Sequence, residues 1–310
     1  MKAVRIHRFG GPEVLTYDDL PVPEPRDGEV VVRVCAASVN PVDYKIREGN
    51  YPLVGEGMLP MVMGRDISGI VETCGGRVGD LKEGAVVFAM LGQDRGGQAE
   101  YVMVKTGELT AKPDELSHVE AAAVPLAGLT AWQGLFDHGQ LRPGQRVLIL
   151  GASGGVGHFA VQFAKSKGCT VIATASGEGV DFVRHLAADQ VVDYTKDLLA
   201  DQIDPVDLVF DLVDGNSREQ AWALVKKGGR LVSTLTEPSQ IKAKALKITA
   251  LRYTVHPSGS QLAEIAALIS SKKVMPHVTA TYPFEKVVAA EQALEKGHMR
   301  GKMVLQVAAA

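Results

Sequence analysis

Apolar residues in the first 110 positions come in short runs broken by glycine and proline. Residues 1–7 alternate apolar and polar, as a strand with one buried face requires. A β-branched run at 30–34 follows a turn cluster at 23–28. Shorter apolar runs at 67–71 and 85–89 are bounded by glycine-rich turns. This punctuation predicts a barrel-like, β-rich module. The texture changes near residue 118, where residues 118–123 and then 130–138 read as helical. After the turn Arg142-Pro143-Gly144, strand and helix patterns alternate. Strands are expected at 146–150, 170–174, 190–193, 208–212 and 230–234, and helices at 156–167, 180–187 and 219–225. Alternation of this kind builds a parallel sheet covered on both faces. A helical stretch at 287–295 and a strand at 302–307 follow, and no internal repeat is present.

Bulk composition narrows the function classes. With 310 residues, 46% hydrophobic and 22% charged, the chain can fill two cores. Its net charge of −3 and the lack of a basic stripe argue against a nucleic-acid partner. No apolar run reaches the length of a bilayer span, so no membrane partner is expected. Residues 1–7 lack the apolar core of a secretory signal. Cys35, Cys74 and Cys169 are scattered and odd in number, which fits a reducing compartment. A cytoplasmic protein with a small-molecule substrate is the expectation.

The candidate chemistry centres on Gly151-Ala152-Ser153-Gly154-Gly155-Val156-Gly157. It stands between the strand pattern at 146–150 and a helix pattern, the setting in which a glycine cluster signals a dinucleotide site. Glycines let the backbone turn tightly and approach an anion. The helix that follows directs its positive end at the phosphates. An NAD site usually carries Asp or Glu at the end of the second strand, to hold the ribose 2′-hydroxyl. Here that end reads Ala173-Thr174-Ala175-Ser176-Gly177, without a carboxylate. Room for a 2′-phosphate favours NADPH. Arg184 and His185 either supply its cation or simply face solvent, and the Tyr194 hydroxyl could bond the same phosphate.

Several segments together resemble the medium-chain dehydrogenase/reductase superfamily, in its zinc-free quinone oxidoreductase (zeta-crystallin-like) branch. They are Met1-Lys2-Ala3-Val4, Gly10-Gly11-Pro12-Glu13-Val14-Leu15, Asn40-Pro41-Val42-Asp43, Gly64-Arg65-Asp66-Ile67-Ser68-Gly69, the glycine turn, and Arg300-Gly301-Lys302-Met303-Val304-Leu305. The resemblance spans essentially the whole chain. It implies an α/β fold in which a Rossmann doubly wound parallel sheet is inserted into a GroES-like, partly barrel-shaped domain. The expected division is 1–121 and 275–310 for the GroES-like catalytic domain and 122–274 for the Rossmann domain, with cofactor and substrate in the cleft. It also implies a homodimer.

Metal-dependent relatives hold zinc through a Cys and a His, and the matching positions here are Asn40 and Arg65. Zinc wants thiolate, imidazole or carboxylate, and a guanidinium would repel it. No paired histidine spacing offers a replacement. Without a Lewis acid, the resemblance implies hydride transfer to an already activated acceptor, a quinone or an α,β-unsaturated carbonyl.

The same resemblance places Asn40 near nicotinamide and substrate. Several quinone oxidoreductases carry a tyrosine two residues after the aspartate of the Asn40–Asp43 motif. That position is Lys45 here, as in plant alkenal reductases, with Tyr44 beside it. Tyr51 matches a second pocket tyrosine. Asp43 could serve only as a helix cap, and Tyr44 only as packing. Thr130, Val213, Thr234, Leu235, Tyr253 and Val255 match positions along the cofactor. Lys302 is either a cofactor contact or a surface lysine. An enoyl-thioester reductase and a non-catalytic, NADPH-binding crystallin-like protein remain as alternatives.

Overall fold

The computed structural model describes residues 1–297 and 299–308. The chain forms two compact units. One comprises Met1–Leu126, His256–Ser271 and Pro276–Ala310, the other Ala127–Val255 and Lys272–Met275.

In the first unit the punctuated runs become short strands. They are β1 (Lys2–Ile6), β2 (Leu15–Asp19), β3 (Glu29–Val39), β4 (Met61–Val62), β5 (Asp66–Cys74), β6 (Val86–Met90), β7 (Tyr101–Lys105) and β8 (Leu109–Ala111). The second unit adds β9 (Arg146–Leu150), β10 (Thr170–Ala175), β11 (Gln190–Asp193), β12 (Val206–Asp211), β13 (Val225–Ser233) and β14 (Thr249–Arg252). The chain then returns to the first unit with β15 (Val278–Pro283) and β16 (Lys302–Gln306).

β3 organises the first unit. Its first half pairs with β7, Val32 opposite Val102, and its last residues pair with β16, Val39 opposite Met303. β5 runs along most of its other edge. Val30, Val32 and Val34 pack with Ile67, Val71 and Val87, while Val39 joins a second core with Val4, Ile6, Ile46, Phe284 and Leu305. The tail strand thus returns beside the point where β3 delivers Asn40.

In the second unit six parallel strands run in the order β11-β10-β9-β12-β13-β14. The order reverses between β9 and β12, which is where open α/β sheets bind ligands. Strands bear out the alternation read from sequence, with shifts at some helices. The helix expected at 219–225 runs Gly215–Ala221. Trp222–Leu224 tightens into a 3-10 turn, because Val225 already belongs to β13. Residues 125–132 are α-helical and Gln133–His138 widen into a π-helix. There Gly134 faces the Phe210 ring and the Tyr253 hydroxyl so closely that a Cβ would stand 2.6 Å from the latter. The helix Gly259–Ser270 has the same apolar texture as its predecessors, yet it packs on β8, and Gly259 meets the Leu109 and Gly107 carbonyls. Only long-range contact assigns it to the first unit. No described helix is long and apolar enough to cross a membrane.

Candidate functional site

The glycine turn leaves β9 at the switch point. Gly151 has φ +79°, a left-handed conformation that disfavours other residues, and a Cβ there would stand 2.5 Å from Val213 Cγ1 in the loop after β12. Val213 is 45% exposed beside that turn. The Gly151 and Ala152 amides are tied to Thr174, by its hydroxyl at 3.2 Å and its carbonyl at 3.1 Å, which fixes the turn on β10. Helix α1 (Pro41–Arg47), α2 (His118–Ala122) and α3 (Pro125–Trp132) precede it in the chain, and α4 (Gly157–Ser166) starts directly from the turn. A Cβ at Gly157 would overlap the Gly151 carbonyl and lie 2.6 Å from Ala152 Cα, so only glycine lets α4 start this close to β9. Beside Gly154 the space is open, with only the Gly151 carbonyl at 3.5 Å. Ser153, Gly154, Gly155 and Val156 are partly accessible, whereas Ala152 is buried beneath them. The start of α4 lies at the positive end of its helix dipole, which suits an anion, although the His158 and Ala160 amides already donate to the Gly154 and Val156 carbonyls.

The end of β10 lies alongside. A Cβ at Gly179, in α5 (Glu178–His185), would approach Ser153 to 3.1 Å. The Ser176 hydroxyl donates to the Tyr194 oxygen at 3.1 Å, which joins the two strand ends expected at the ribose. Arg184 is exposed and paired with Asp181 at 2.9 Å, and the His185 ring bonds the Asp181 carbonyl at 2.7 Å. Lys196, which sequence reasoning missed, pairs with Asp193 at 2.9 Å. Thr195 and Lys196 hold the Asp193 carboxyl down at about 2. Arg184 and Lys196 share the wall of one depression of about 360 Å³ with Gly177, Val180 and Asp197. Nothing in the spacing of Lys196 marked it, because it sits in a loop beyond β11.

Other expected cofactor residues divide. Val213 is presented by a loop that Asp211 shapes, whose carboxylate accepts from the Val213 and Asp214 amides and the Ser233 hydroxyl. Thr234 and Leu235 follow β13 half-buried, with the Leu235 amide on Ser233 Oγ at 3.2 Å. Tyr253 turns inward. Its hydroxyl donates to the Thr130 carbonyl, its ring lies 4.5 Å from that of His138, and burial raises its pKa well above the ordinary phenol value. Tyr253 and Thr130 therefore clamp β14 to α3, while Val255 remains partly accessible just beyond.

In the first unit Asn40 caps α1. Its amide N–H donates to Asp43 Oδ2 at 2.7 Å in a capping box. Its side chain is 1% exposed, and Nδ2 donates to Ser38 Oγ at 3.0 Å and Asp66 Oδ2 at 2.9 Å. Lys302 Nζ donates to Asn40 Oδ1 and lies 3.8 Å from Asp66. Asp66 also accepts from Ser38 Oγ and from the Leu126 amide at 2.6 Å. Lys302 is thus neither a surface lysine nor, at 4% exposure, an open contact. Burial lowers its pKa, against the pull of Asp66 and Asp43. Asp43 is fully buried with Oδ1 unpartnered. Burial, reinforced by Glu291, pushes its carboxyl up to about 8.

Tyr44 and Lys45 are half-buried on α1. Burial raises the Tyr44 pKa, with Glu48 and Glu295 adding to it, which places that ring toward the acidic residues beside Arg47. The Tyr51 hydroxyl accepts from Gln93 Nε2 at 3.5 Å, and its field is felt by Arg65. Arg65 is 7% exposed, and burial pulls its guanidinium below the ordinary value.

Comparison with known proteins places this geometry. The Alcohol dehydrogenase GroES-like domain family matches residues 26–114, and the Zinc-binding dehydrogenase family matches 186–305. The human protein NAD(P)H oxidoreductase RTN4IP1, mitochondrial, is 35% identical, with 99% of this chain and 89% of that protein covered. NADPH-dependent alkenal/one oxidoreductase, chloroplastic, of Arabidopsis thaliana is also 35% identical, over 98% of this chain and 79% of its own length. The solved quinone oxidoreductase from Coxiella burnetii superposes with a TM-score of 0.90 at 36% identity, covering 99% of both chains.

The chain belongs to the medium-chain dehydrogenase/reductase superfamily, in its quinone oxidoreductase-like branch.

Within that branch the donor set at Asn40 and Arg65 is telling. The Asn40 amide is consumed by Ser38, Asp66 and Lys302, and Arg65 presents only cationic N–H groups. Among the described residues no group of three His, Cys, Asp or Glu is placed to hold a metal ion.

Proposed function

We propose that the chain reduces quinones or α,β-unsaturated carbonyls with NADPH and without a catalytic zinc. The observation that carries this reading is the open glycine turn at the switch point of a parallel sheet, with Val213 beside Gly151 and clear space at Gly154. Bound there, NADPH would supply the hydride. The residues from Ser153 to Gly157 would hold its pyrophosphate, and Ser176 and Tyr194 would meet the adenosine ribose. The neutral end of β10, Ala175-Ser176-Gly177, supports NADPH over NADH, and Asp193, opposite Ala175, is already paired with Lys196 at 2.9 Å. The names of the relatives point to the same cofactor and acceptors.

Asn40 and Arg65 support a zinc-free reaction, because neither is a zinc ligand. Near the acceptor, Tyr51 is favoured as a contact by its place beside Arg65 and Gln93. Asn40 and Lys302 would act by fixing where α1 begins. Two finer readings complete the proposal. β14 is an edge strand of its sheet, with unpaired backbone groups that a second copy could continue into a homodimer. Three free cysteines fit a reducing cytoplasm, and the named relatives include mitochondrial and chloroplastic proteins.

The test mixes the purified protein with NADPH and, separately, 9,10-phenanthrenequinone, an alkenal and a crotonyl thioester. Loss of reduced-nicotinamide absorbance with the quinone or the alkenal is the expected result. Preference for the thioester would move the assignment to enoyl-thioester reduction. NADPH binding without oxidation by any acceptor would refute the reductase and favour a non-catalytic role.

A further inference from the structure

Every other strongly buried cation described in the first unit has an anionic or carbonyl partner. Arg47 meets Glu291 at 2.8 Å, Glu295, and the Gly10 carbonyl at 2.9 Å. Arg95 meets Asp94 at 2.6 Å and also Glu108. Lys302 meets Asn40 and Asp66. Arg65 differs. It is 93% buried (7% exposed), its Nε is sealed from solvent without an acceptor, and among the described residues its guanidinium makes no hydrogen bond or ion pair.

The carboxylates nearby have given their bonded oxygens to other groups. Both oxygens of Asp66 are committed, to Ser38, Asn40 and Lys302 on one side and to the Leu126 amide on the other. Asp43 gives Oδ2 to the Asn40 amide, and its raised pKa leaves it mostly protonated at neutral pH. Arg65 therefore has no bonded counter-ion, although the fields of Asp43 and Asp66 reach it, and Arg stays ionised. An unpaired buried charge is costly to a fold. Held fixed in a low-dielectric site, it is also a preorganised partner for negative charge that appears during a reaction.

We propose that Arg65 receives the carbonyl oxygen of the acceptor and stabilises the oxyanion formed on hydride arrival. This rests on the reductase reading. A hydride, one hydrogen nucleus with two electrons, bonds to the β-carbon of the enone. The alkene pair shifts into the bond between the α-carbon and the carbonyl carbon, and the carbonyl π pair moves onto oxygen. The acceptor gains two electrons, the reduced nicotinamide loses two, and a proton from water then adds to the α-carbon. A guanidinium at the oxygen favours the charged species far more than the neutral substrate, so its effect falls on the transition state.

The probe pair is 2-hydroxy-1,4-naphthoquinone, whose ionised form is a stable enolate, and neutral 2-methyl-1,4-naphthoquinone. Binding is measured by calorimetry with and without NADP+, on the wild type, Arg65→Met and Arg65→Lys. The enolate is expected to lose at least about 30-fold in affinity in R65M and to recover partly in R65K, while the neutral quinone changes less than about threefold. Alkenal reduction should show kcat lowered on the order of 10²–10³-fold, the loss typical of one oxyanion donor, with KM nearly constant. The melting temperature of R65M should equal or exceed that of the wild type, since no partner is stranded. Unchanged enolate affinity in R65M, or a lower melting temperature with both ligands lost alike, overturns the proposal. If R65M does not fold, R65K decides: weakening of the enolate beyond about threefold while the neutral quinone changes less than about threefold supports the proposal, and equal loss of both ligands, or unchanged binding of both, refutes it. If wild type reduces no acceptor while enolate binding still depends on Arg65, the anion site stands and the reductase reading falls.

Discussion

Two alanine substitutions three residues apart should separate what the glycine turn does for folding from what it does for cofactor. At Gly157 a Cβ would overlap the Gly151 carbonyl and sit 2.6 Å from Ala152 Cα. Both obstacles are backbone, so α4 must move by nearly an ångström. That helix buries Phe159, Ala160, Phe163 and Ala164, and a shift disturbs all of them. Overpacking of this kind costs about 1–3 kcal/mol, which for a unit of this size lowers Tm by about 2–4 °C per kcal/mol. Gly154→Ala is the converse. Its φ lies outside the left-handed region, and its Cβ would meet only one oxygen at 3.5 Å. Stability should hold or rise by about 0.4–1 kcal/mol through the unfolded chain. The methyl nevertheless occupies the space where the backbone approaches an anion, so NADPH affinity should fall by about tenfold or more, at about 1.4 kcal/mol per tenfold. Thermal melts and calorimetric titration with NADPH measure both quantities. A G154A protein that binds NADPH like wild type, or a G157A protein equally stable, would refute the account of this turn.

Further outcomes follow from the same contacts. Asp43 should make stability fall with rising pH. Its folded pKa of about 8 lies above the unfolded value, so the folded state holds the extra proton between about pH 4 and 8 and stability is lost across that window, at up to about 1.4 kcal/mol per pH unit. Asp43→Asn keeps an acceptor for the Asn40 amide and should flatten melting temperature against pH from 5 to 9, and an unchanged slope would contradict the assignment. Tyr194→Phe removes the hydroxyl that meets Ser176 and should weaken NADPH about three- to tenfold with NADH unaffected, by competitive titration; equal losses for both cofactors would place Tyr194 elsewhere. Dialysis against a strong chelator should leave alkenal reduction unchanged, and loss restored by zinc would refute the zinc-free reaction.

What the sequence determined by itself was local chemistry. The strand–glycine–helix order at 146–167 pointed to a dinucleotide turn, because tight turning and close backbone approach demand glycine at particular spacings. The missing carboxylate after Ala175 and the substitution of Asn40 and Arg65 at metal positions were equally legible, since they depend on residue type alone. Tertiary structure decided everything that depends on partners. Lys302 lies 262 residues from Asn40, and only the pairing of β16 with the end of β3 brings them together. Tyr253 matches a cofactor position by resemblance, and only the fold shows that its hydroxyl donates to the Thr130 carbonyl across 123 residues. Arg65 read simply as a residue hostile to zinc. That no described residue bonds or pairs with its guanidinium emerged only when burial and the commitments of Asp43 and Asp66 were known. Burial and pairing are sums over neighbours brought from distant parts of the chain, and no local pattern of residues contains them.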